Sequence, residues 1–380
     1  MVRFPKARRW ISAAWFPALI LAVGACGNSA TPASSVPAPE NFAGAGPYKV
    51  GVTTLGMEPG GLYDREVEVW YPVDDASVAG VELASYRSFE VLPQAIVDIL
   101  PADLNLEVGM DAYRDVVVSE QGPFPVLTFS HGAGGFRYAY SGFLKRVASW
   151  GIIVVSIDHL EWGLLAQVNL RDSDAEDREA SDVVLATLSE LAVASSSPSS
   201  PLYGGVDGGR VATAGHSAGG RAAFGIPERE EVRAMIGFAT GGARGIETDK
   251  PILLLVGAED GGAGRMEEAY ETLGPVRRFV SIDGAGHNSF TDQCDIIWGG
   301  NNFLESLVAS GFPIPENLLA LAIDGCEPQN LDPEVFWDVS VHFTVAHLRQ
   351  AFGIDAEPIG LEDEIASQFD GVSMTYAHDP

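Results

Sequence analysis

The sequence predicts an α/β fold, with a mostly parallel central sheet and helices on both faces. Three observations carry this. Apolar runs at residues 126–129, 152–157 and 252–256 are too continuous for half-exposed strands and read as strands buried on both sides. From residue 124 onward helical patterns separate such runs, the alternation that places strands in parallel. Between the second and third runs lies Arg210-Val-Ala-Thr-Ala-Gly-His-Ser-Ala-Gly-Gly-Arg-Ala-Ala-Phe224, which reads as strand, sharp turn and helix.

In chain order, residues 1–25 stand apart from the fold. Arg3, Lys6, Arg8 and Arg9 form a basic head, residues 10–25 an apolar stretch, and Val23-Gly-Ala-Cys26 a small-residue cleavage site ending in cysteine. The pattern is similar to a bacterial lipoprotein signal, with Cys26 lipidated as the new N-terminus. The apolar stretch is shorter than the ~20 residues of a spanning helix, and Pro17 interrupts it. Residues 26–46, rich in Ser, Pro, Ala and Gly, read as a flexible tether, a composition that forms no core.

The remaining domain is expected over residues 47–355. Residues 48–52 and 66–71 alternate as an edge hairpin does. Residues 76–112 lack a clean period, with a short helix at 92–100 over the sheet's carboxyl edge. Residues 126–129 form a buried strand, 141–149 a helix ending at Gly151, and 152–157 the next strand. Ser173-Asp-Ala-Glu176 is a capping box opening a helix with Val184, Leu188 and Leu191 on one face. After the segment holding Ser217 come strands at 232–239, 252–256 and 278–282, with a helix at 265–273. Asp332-Pro333 caps and starts a final helix, in which Phe336, Val339, Phe343 and Ala346 share a face. Residues 356–380 read as a C-terminal tail.

Composition excludes some partners. With 380 residues, 46% of them hydrophobic, the chain can bury one large core. Lys and Arg total 23 against 52 Asp and Glu, a formal charge of −29. Such a field repels phosphate backbones, so nucleic acid is not expected as a partner.

The chemistry centres on Gly215-His-Ser-Ala-Gly219. A serine on a tight strand-to-helix turn is held in a strained conformation with its hydroxyl exposed, and glycines two before and two after avoid collision. Phe129-Ser-His-Gly-Ala-Gly-Gly-Phe-Arg137 follows an expected strand and leaves backbone N–H groups open. A tetrahedral oxyanion needs two such donors about 3 Å away. The Ala218 amide is one, and Ala133 is the first choice for the other, with Gly134 second. His131 is expected to hold this loop's shape.

A serine hydroxyl needs a base, and the base an acid to orient it. Gly257-Ala-Glu-Asp-Gly-Gly262 puts Asp260 on a strand-end loop, and Asp283-Gly-Ala-Gly-His-Asn-Ser289 puts His287 on the next. Glu259 is the rival acid, and Asp283 is expected to serve its own turn. His216 should point away from the site, His159 precedes the serine, and His378 lies in the tail. His342 and His347 are five apart, without zinc-site spacing. No metal and no cofactor is called for. Once Cys26 is assigned to lipid, Cys294 and Cys326 remain as a pair for an oxidising compartment, closing a loop of about 32 residues worth on the order of 3–4 kcal/mol.

Val126-Leu-Thr-Phe-Ser-His-Gly-Ala-Gly-Gly-Phe-Arg137, Ile153-Val-Val-Ser-Ile-Asp-His159, Gly215-His-Ser-Ala-Gly-Gly220 and Gly284-Ala-Gly-His287 together resemble the platelet-activating factor acetylhydrolase and dienelactone hydrolase-like branch of the α/β-hydrolases. Gly46-Pro-Tyr-Lys-Val-Gly51 and Val67-Glu-Val-Trp-Tyr-Pro72 also resemble its entry. The resemblance spans roughly residues 46–290. It implies an α/β-hydrolase fold and a serine esterase with Ser217 as nucleophile, Asp260 as acid, His287 as base and Ala133 with Ala218 as oxyanion donors. Dienelactone hydrolases proper use a cysteine nucleophile, so lactone opening does not carry over.

The expected substrate is a small-molecule or lipid ester, with short-chain acyl or phospholipid-like esters first and lipase, polyester hydrolase or peptidase activity as rivals. A non-catalytic envelope binding protein is the reading from another class. The expected location is outside the cytoplasm, on the membrane through the lipid anchor. Residues 296–330, bounded by the cysteines, form either a lid or acyl-pocket wall, or a helical hairpin burying its own apolar face.

Overall fold

The apolar runs become the centre of a ten-stranded sheet in the computed structural model, which describes residues 41–57, 65–171, 177–294, 311, 320 and 322–379. The strands are β1 (Lys49–Gly56), β2 (Glu66–Val73), β3 (Ser85–Arg87), β4 (Glu107–Gly109), β5 (Tyr113–Arg114), β6 (Phe124–Ser130), β7 (Ile153–Ile157), β8 (Val206–His216), β9 (Val232–Phe238), β10 (Ile252–Gly257), β11 (Arg277–Ile282) and β12 (Met374–Asp379). The helices are α1 (Gln94–Val97), α2 (Ser141–Ala148), α3 (Leu164–Gln167), α4 (Ala180–Ser196), α5 (Gly220–Ala223), α6 (Ala263–Thr272) and α7 (Pro333–Ala351).

The sheet order is β12-β11-β10-β9-β8-β6-β7-β2-β1-β5, with β3 and β4 paired separately. From β11 through β7 the pairs are parallel, and the antiparallel pairs are β1 with β2, β2 with β7 and β11 with β12. Every residue of β6, β7 and β10 is buried, as continuous apolar strands require. Helices cover both faces. One group, α2 with α7, packs against β2, β7, β9 and β10, while α4 and α5 pack on β8 and α6 on β10 and β11.

Parallel register decides where the chemistry gathers. Ser130 at the end of β6 pairs with Gly215 of β8, and Gly257 of β10 pairs with Ile282 of β11. The loops after β6, β8, β10 and β11 therefore leave one carboxyl edge, where open α/β sheets place their ligands.

Two expected boundaries move. Packing begins at Phe42, fully buried, with its N–H donating to His342 Nδ1 at 2.9 Å, so the expected tether ends before residue 42 and not at residue 46. The expected tail at residues 356–380 contributes β12 along β11, and Tyr376 and Phe369 pack on Phe343. These covers also change α7. The four residues expected to form its apolar face are buried, but so are Ser340, His342, Thr344 and His347. A helix enclosed on several sides needs polar groups satisfied inside, and His342 bridges Phe42 N–H and the Gly360 carbonyl. Asp332 accepts from Glu334 N–H with Pro333 in the first turn, as the cap predicts.

Residues 1–25 and Cys26, the Ser173 capping box, and most of 296–330 lie outside the described residues. The described residues all fall within one compact unit. No described helix is long and apolar enough to cross a membrane.

Candidate active site

Ser217 leaves β8 at φ 51°, the left-handed region that a non-glycine residue adopts only under constraint. The glycines beside it are sterically required. A Cβ on Gly215 would lie 2.2 Å from the Gly219 carbonyl oxygen, and one on Gly219 would lie 2.2 Å from that of Ser130. The turn thus presses against the end of β6 and brings the loop after β6 to the serine, where a Cβ on Gly132 would sit 3.2 Å from Ser217 Cβ.

That loop is built to leave one amide open. Gly132 N–H donates to Tyr140 Oη at 3.0 Å, Gly134 N–H to the Trp162 carbonyl at 2.8 Å, and Gly135 N–H to the Gly132 carbonyl at 3.0 Å. Among the described residues Ala133 N–H has no acceptor, so Gly134, the second choice from sequence, is already spent. His131 holds the loop as expected. Its Nε2 accepts His159 N–H at 3.0 Å, which leaves Nδ1–H to donate to the Gly132 carbonyl at 2.8 Å, and complete burial holds its pKa below the ordinary histidine range. Arg137 closes the loop's far end through Asp158, Glu66 and Glu68.

The loops after β10 and β11 bring Asp260 and His287 together. His287 Nδ1 and Asp260 Oδ2 are 2.7 Å apart, and Asp260 Oδ1 accepts Gly262 N–H at 2.6 Å. Burial pushes the Asp260 carboxyl up, but hydrogen bonds from His287 and Gly262 outweigh it, and the net shift is downward. The carboxylate therefore stays charged beside the ring. Glu259, the rival acid, is exposed, with its N–H on the Ala285 carbonyl. Asp283 is exposed too, and its N–H bonds Ser373. Among the described residues neither His287 Nε2 nor Ser217 Oγ has a hydrogen-bond partner. The ring of His216, the serine's neighbour in the chain, is centred 4.8 Å from the His287 ring.

His216 points away from the serine's open side, as expected, but into an unexpected bridge. Tyr140 Oη receives Gly132 N–H and gives its own proton to His216 Nδ1 at 2.8 Å, while His216 Nε2–H donates to the His287 carbonyl at 2.9 Å. Burial first, and the neighbouring His287 second, push its pKa down to about 3, so it works as a neutral spacer.

Asp324 was not legible as part of this region. Its Oδ1 accepts His287 N–H at 3.2 Å and its carbonyl accepts Asn288 N–H at 2.9 Å. Two residues later Cys326 is bonded to Cys294, with Cα atoms 5.0 Å apart. No sequence spacing signals Asp324 or Tyr140, because each reaches the site only through the folded chain. Among the described residues no group of His, Cys, Asp and Glu could hold a metal ion.

Residues 34–195 match the family model of platelet-activating factor acetylhydrolase, isoform II. The match takes in the loop after β6 and stops before Ser217. Among solved structures, the chain is similar to a ferulic acid esterase from Streptomyces cinnamoneus, with a TM-score of 0.57 and 20% identity over 89% of this chain and 100% of that one. At that identity the likeness speaks to the fold.

Proposed function

We propose that this chain, whose residues 34–195 match the family model of platelet-activating factor acetylhydrolase, isoform II, is an exported serine hydrolase that cleaves carboxylic esters through an acyl-enzyme. The observation that carries the reading is the Asp260–His287 hydrogen bond on the sheet edge that also presents Ser217 at positive φ. Ser217 Oγ attacks the ester carbonyl carbon while His287 Nε2 takes its proton. The carbonyl oxygen becomes an oxyanion held by the Ala133 and Ala218 amides. Collapse breaks the bond to the alkoxy oxygen, which leaves with the proton from His287. Water then attacks the acyl-enzyme with His287 as base, releasing the acid and restoring Ser217. Asp260 orients the ring and stabilises its charged form throughout.

Short-chain acyl or phospholipid-like esters are the proposed substrates. Export, with Cys26 lipidated, is supported by the pattern of residues 1–26 and by a disulfide suited to an oxidising compartment. Fluorophosphonate labelling tests the mechanism: the protein should label and Ser217→Ala should not. An unlabelled wild-type protein would favour the non-catalytic binding lipoprotein. A panel of nitrophenyl esters of rising acyl length, with a phospholipid, a feruloyl ester and a polyester film, separates esterase, lipase and polyester hydrolase. Metabolic labelling with a fatty-acid probe, lost in Cys26→Ala, tests the anchor.

A further inference from the structure

We infer that Arg221 anchors an anionic group carried by the ester substrate. The inference rests on the hydrolase reading and specifies its substrate class. Arg221 lies on α5, four residues after Ser217, and is exposed. Its position is nevertheless held from two sides. Nε donates to the Ala218 carbonyl at 3.2 Å, and the guanidinium carbon lies 4.9 Å from the centre of the Trp162 ring. Trp162 in turn belongs to the oxyanion side of the site. Its Nε1 donates to the His131 carbonyl at 2.9 Å, its carbonyl accepts Gly134 N–H, and its ring stacks on His159 at 4.2 Å. One contact of Arg221 is thus to the residue supplying one proposed oxyanion donor, and the other is to the tryptophan bracing the loop that supplies the second.

Only Nε is engaged. Among the described residues no carboxylate lies within ion-pair distance of Arg221, whereas Arg65, Arg114 and Arg137 are all paired. In a chain of charge −29 the general field repels anions, so an unpaired guanidinium beside the nucleophile reverses that field locally. A guanidinium stacked on an aromatic face keeps its outer N–H edge free, the geometry that takes a carboxylate or phosphate through two parallel hydrogen bonds. A neutral ester gains nothing from this group.

The test compares kcat/KM for three esters: nitrophenyl butyrate, a nitrophenyl ester whose acyl chain ends in a carboxylate, and a short-chain diacyl phosphatidate with its phosphate on the alcohol side. In Arg221→Gln the ratio of anionic to neutral kcat/KM should fall about tenfold or more, the scale of a lost charge-assisted hydrogen bond. Arg221→Lys should recover part of it, and added salt should move the wild-type ratio toward the Gln value. A fall confined to the carboxylate ester places the anion on the acyl side, and one confined to the phosphatidate places it on the alcohol side. Unchanged ratios for both overturn the inference and leave Arg221 as a cover for Trp162. Calorimetric binding of the same two anionic esters to Ser217→Ala, and to Ser217→Ala with Arg221→Gln, reads the contact without turnover. About tenfold weaker binding in the double variant supports it, and equal binding overturns it. If wild-type protein binds these esters in an Arg221-dependent way but hydrolyses none of the three, the hydrolase reading fails and the anion contact stands.

Discussion

His216 Nε2–H donates to the main-chain carbonyl of His287 at 2.9 Å, so the side chain next to the proposed nucleophile holds the backbone of the proposed base. Through Tyr140 the same imidazole also reaches the Gly132 amide. The turn at Ser217, the loop after β6 and the loop after β11 are therefore joined by one fully protein-made chain of hydrogen bonds. Such buried chains specify geometry when every member is satisfied and become costly when one is removed.

His216→Ala should leave the Tyr140 O–H without an acceptor and the His287 carbonyl without its donor, although Tyr140 Oη still accepts Gly132 N–H; each loss should cost about 1–3 kcal/mol. The expected result is a lower melting temperature with slower fluorophosphonate labelling of Ser217. Tyr140→Phe also breaks two of the three bonds, those to Gly132 N–H and His216 Nδ1, but keeps the ring and leaves no cavity, so it should cost less stability. If both variants lose stability but label at the wild-type rate, the chain is structural and does not position the site.

Two acids touch His287, and they should respond differently. Asp260→Asn removes the charge on the ring's Nδ1 side and permits the wrong tautomer, so kcat should fall on the order of a thousandfold or more. Asp324 meets only the backbone N–H of His287, and Asn keeps an acceptor there. Asp324→Asn should lower kcat less than about tenfold. The opposite order would reassign the acid.

The Cys294–Cys326 bond closes 32 residues and sits beside the segment that braces the base loop. Changing both cysteines to serine should destabilise the fold by about 3–4 kcal/mol on the chain-entropy model. Because Asp324 and Gly325 pack against Gly286 and His287, kcat should fall as well. Mass measurement before and after reduction and alkylation identifies the bond in exported protein. Two alkylatable thiols without reduction would contradict it.

Asp292 offers a pH test. It is fully buried, accepting Ser141 Oγ–H and Gly142 N–H at 2.5 and 2.9 Å, and burial pushes its carboxyl up to about 6 despite those bonds. The folded state thus holds the proton more tightly than the unfolded chain does. Its contribution is fully present below the ordinary carboxylate value near 3.8 and is lost as pH rises through about 6. The difference in unfolding free energy between wild type and Asp292→Asn, from urea melts, should therefore move against wild type between pH 4 and 8. A swing on the order of 2–3 kcal/mol is expected, and a flat difference would contradict the buried-acid assignment.

Local pattern made much of this molecule legible. The runs that became β6, β7 and β10 could be recognised because strands buried on both faces need no polar alternation. Ser217, Asp260 and His287 could be named because each follows an apolar strand within a few residues, and strand ends in a parallel sheet share an edge. Residues 356–380 misled for the opposite reason. β12 is short, partly exposed and antiparallel, and its place beside β11 is decided by pairing across a hundred residues.

What the sequence determined by itself was a set of residue types at strand ends, together with the order in which they arrive. What only the tertiary structure decided was which groups are already occupied: Gly134 and not Ala133 spends its amide, Asp260 and not Glu259 meets the ring, and His216 spans two loops. Hydrogen-bond occupancy depends on distances between segments far apart in the chain, and a linear pattern carries no information about a distance until packing has set it.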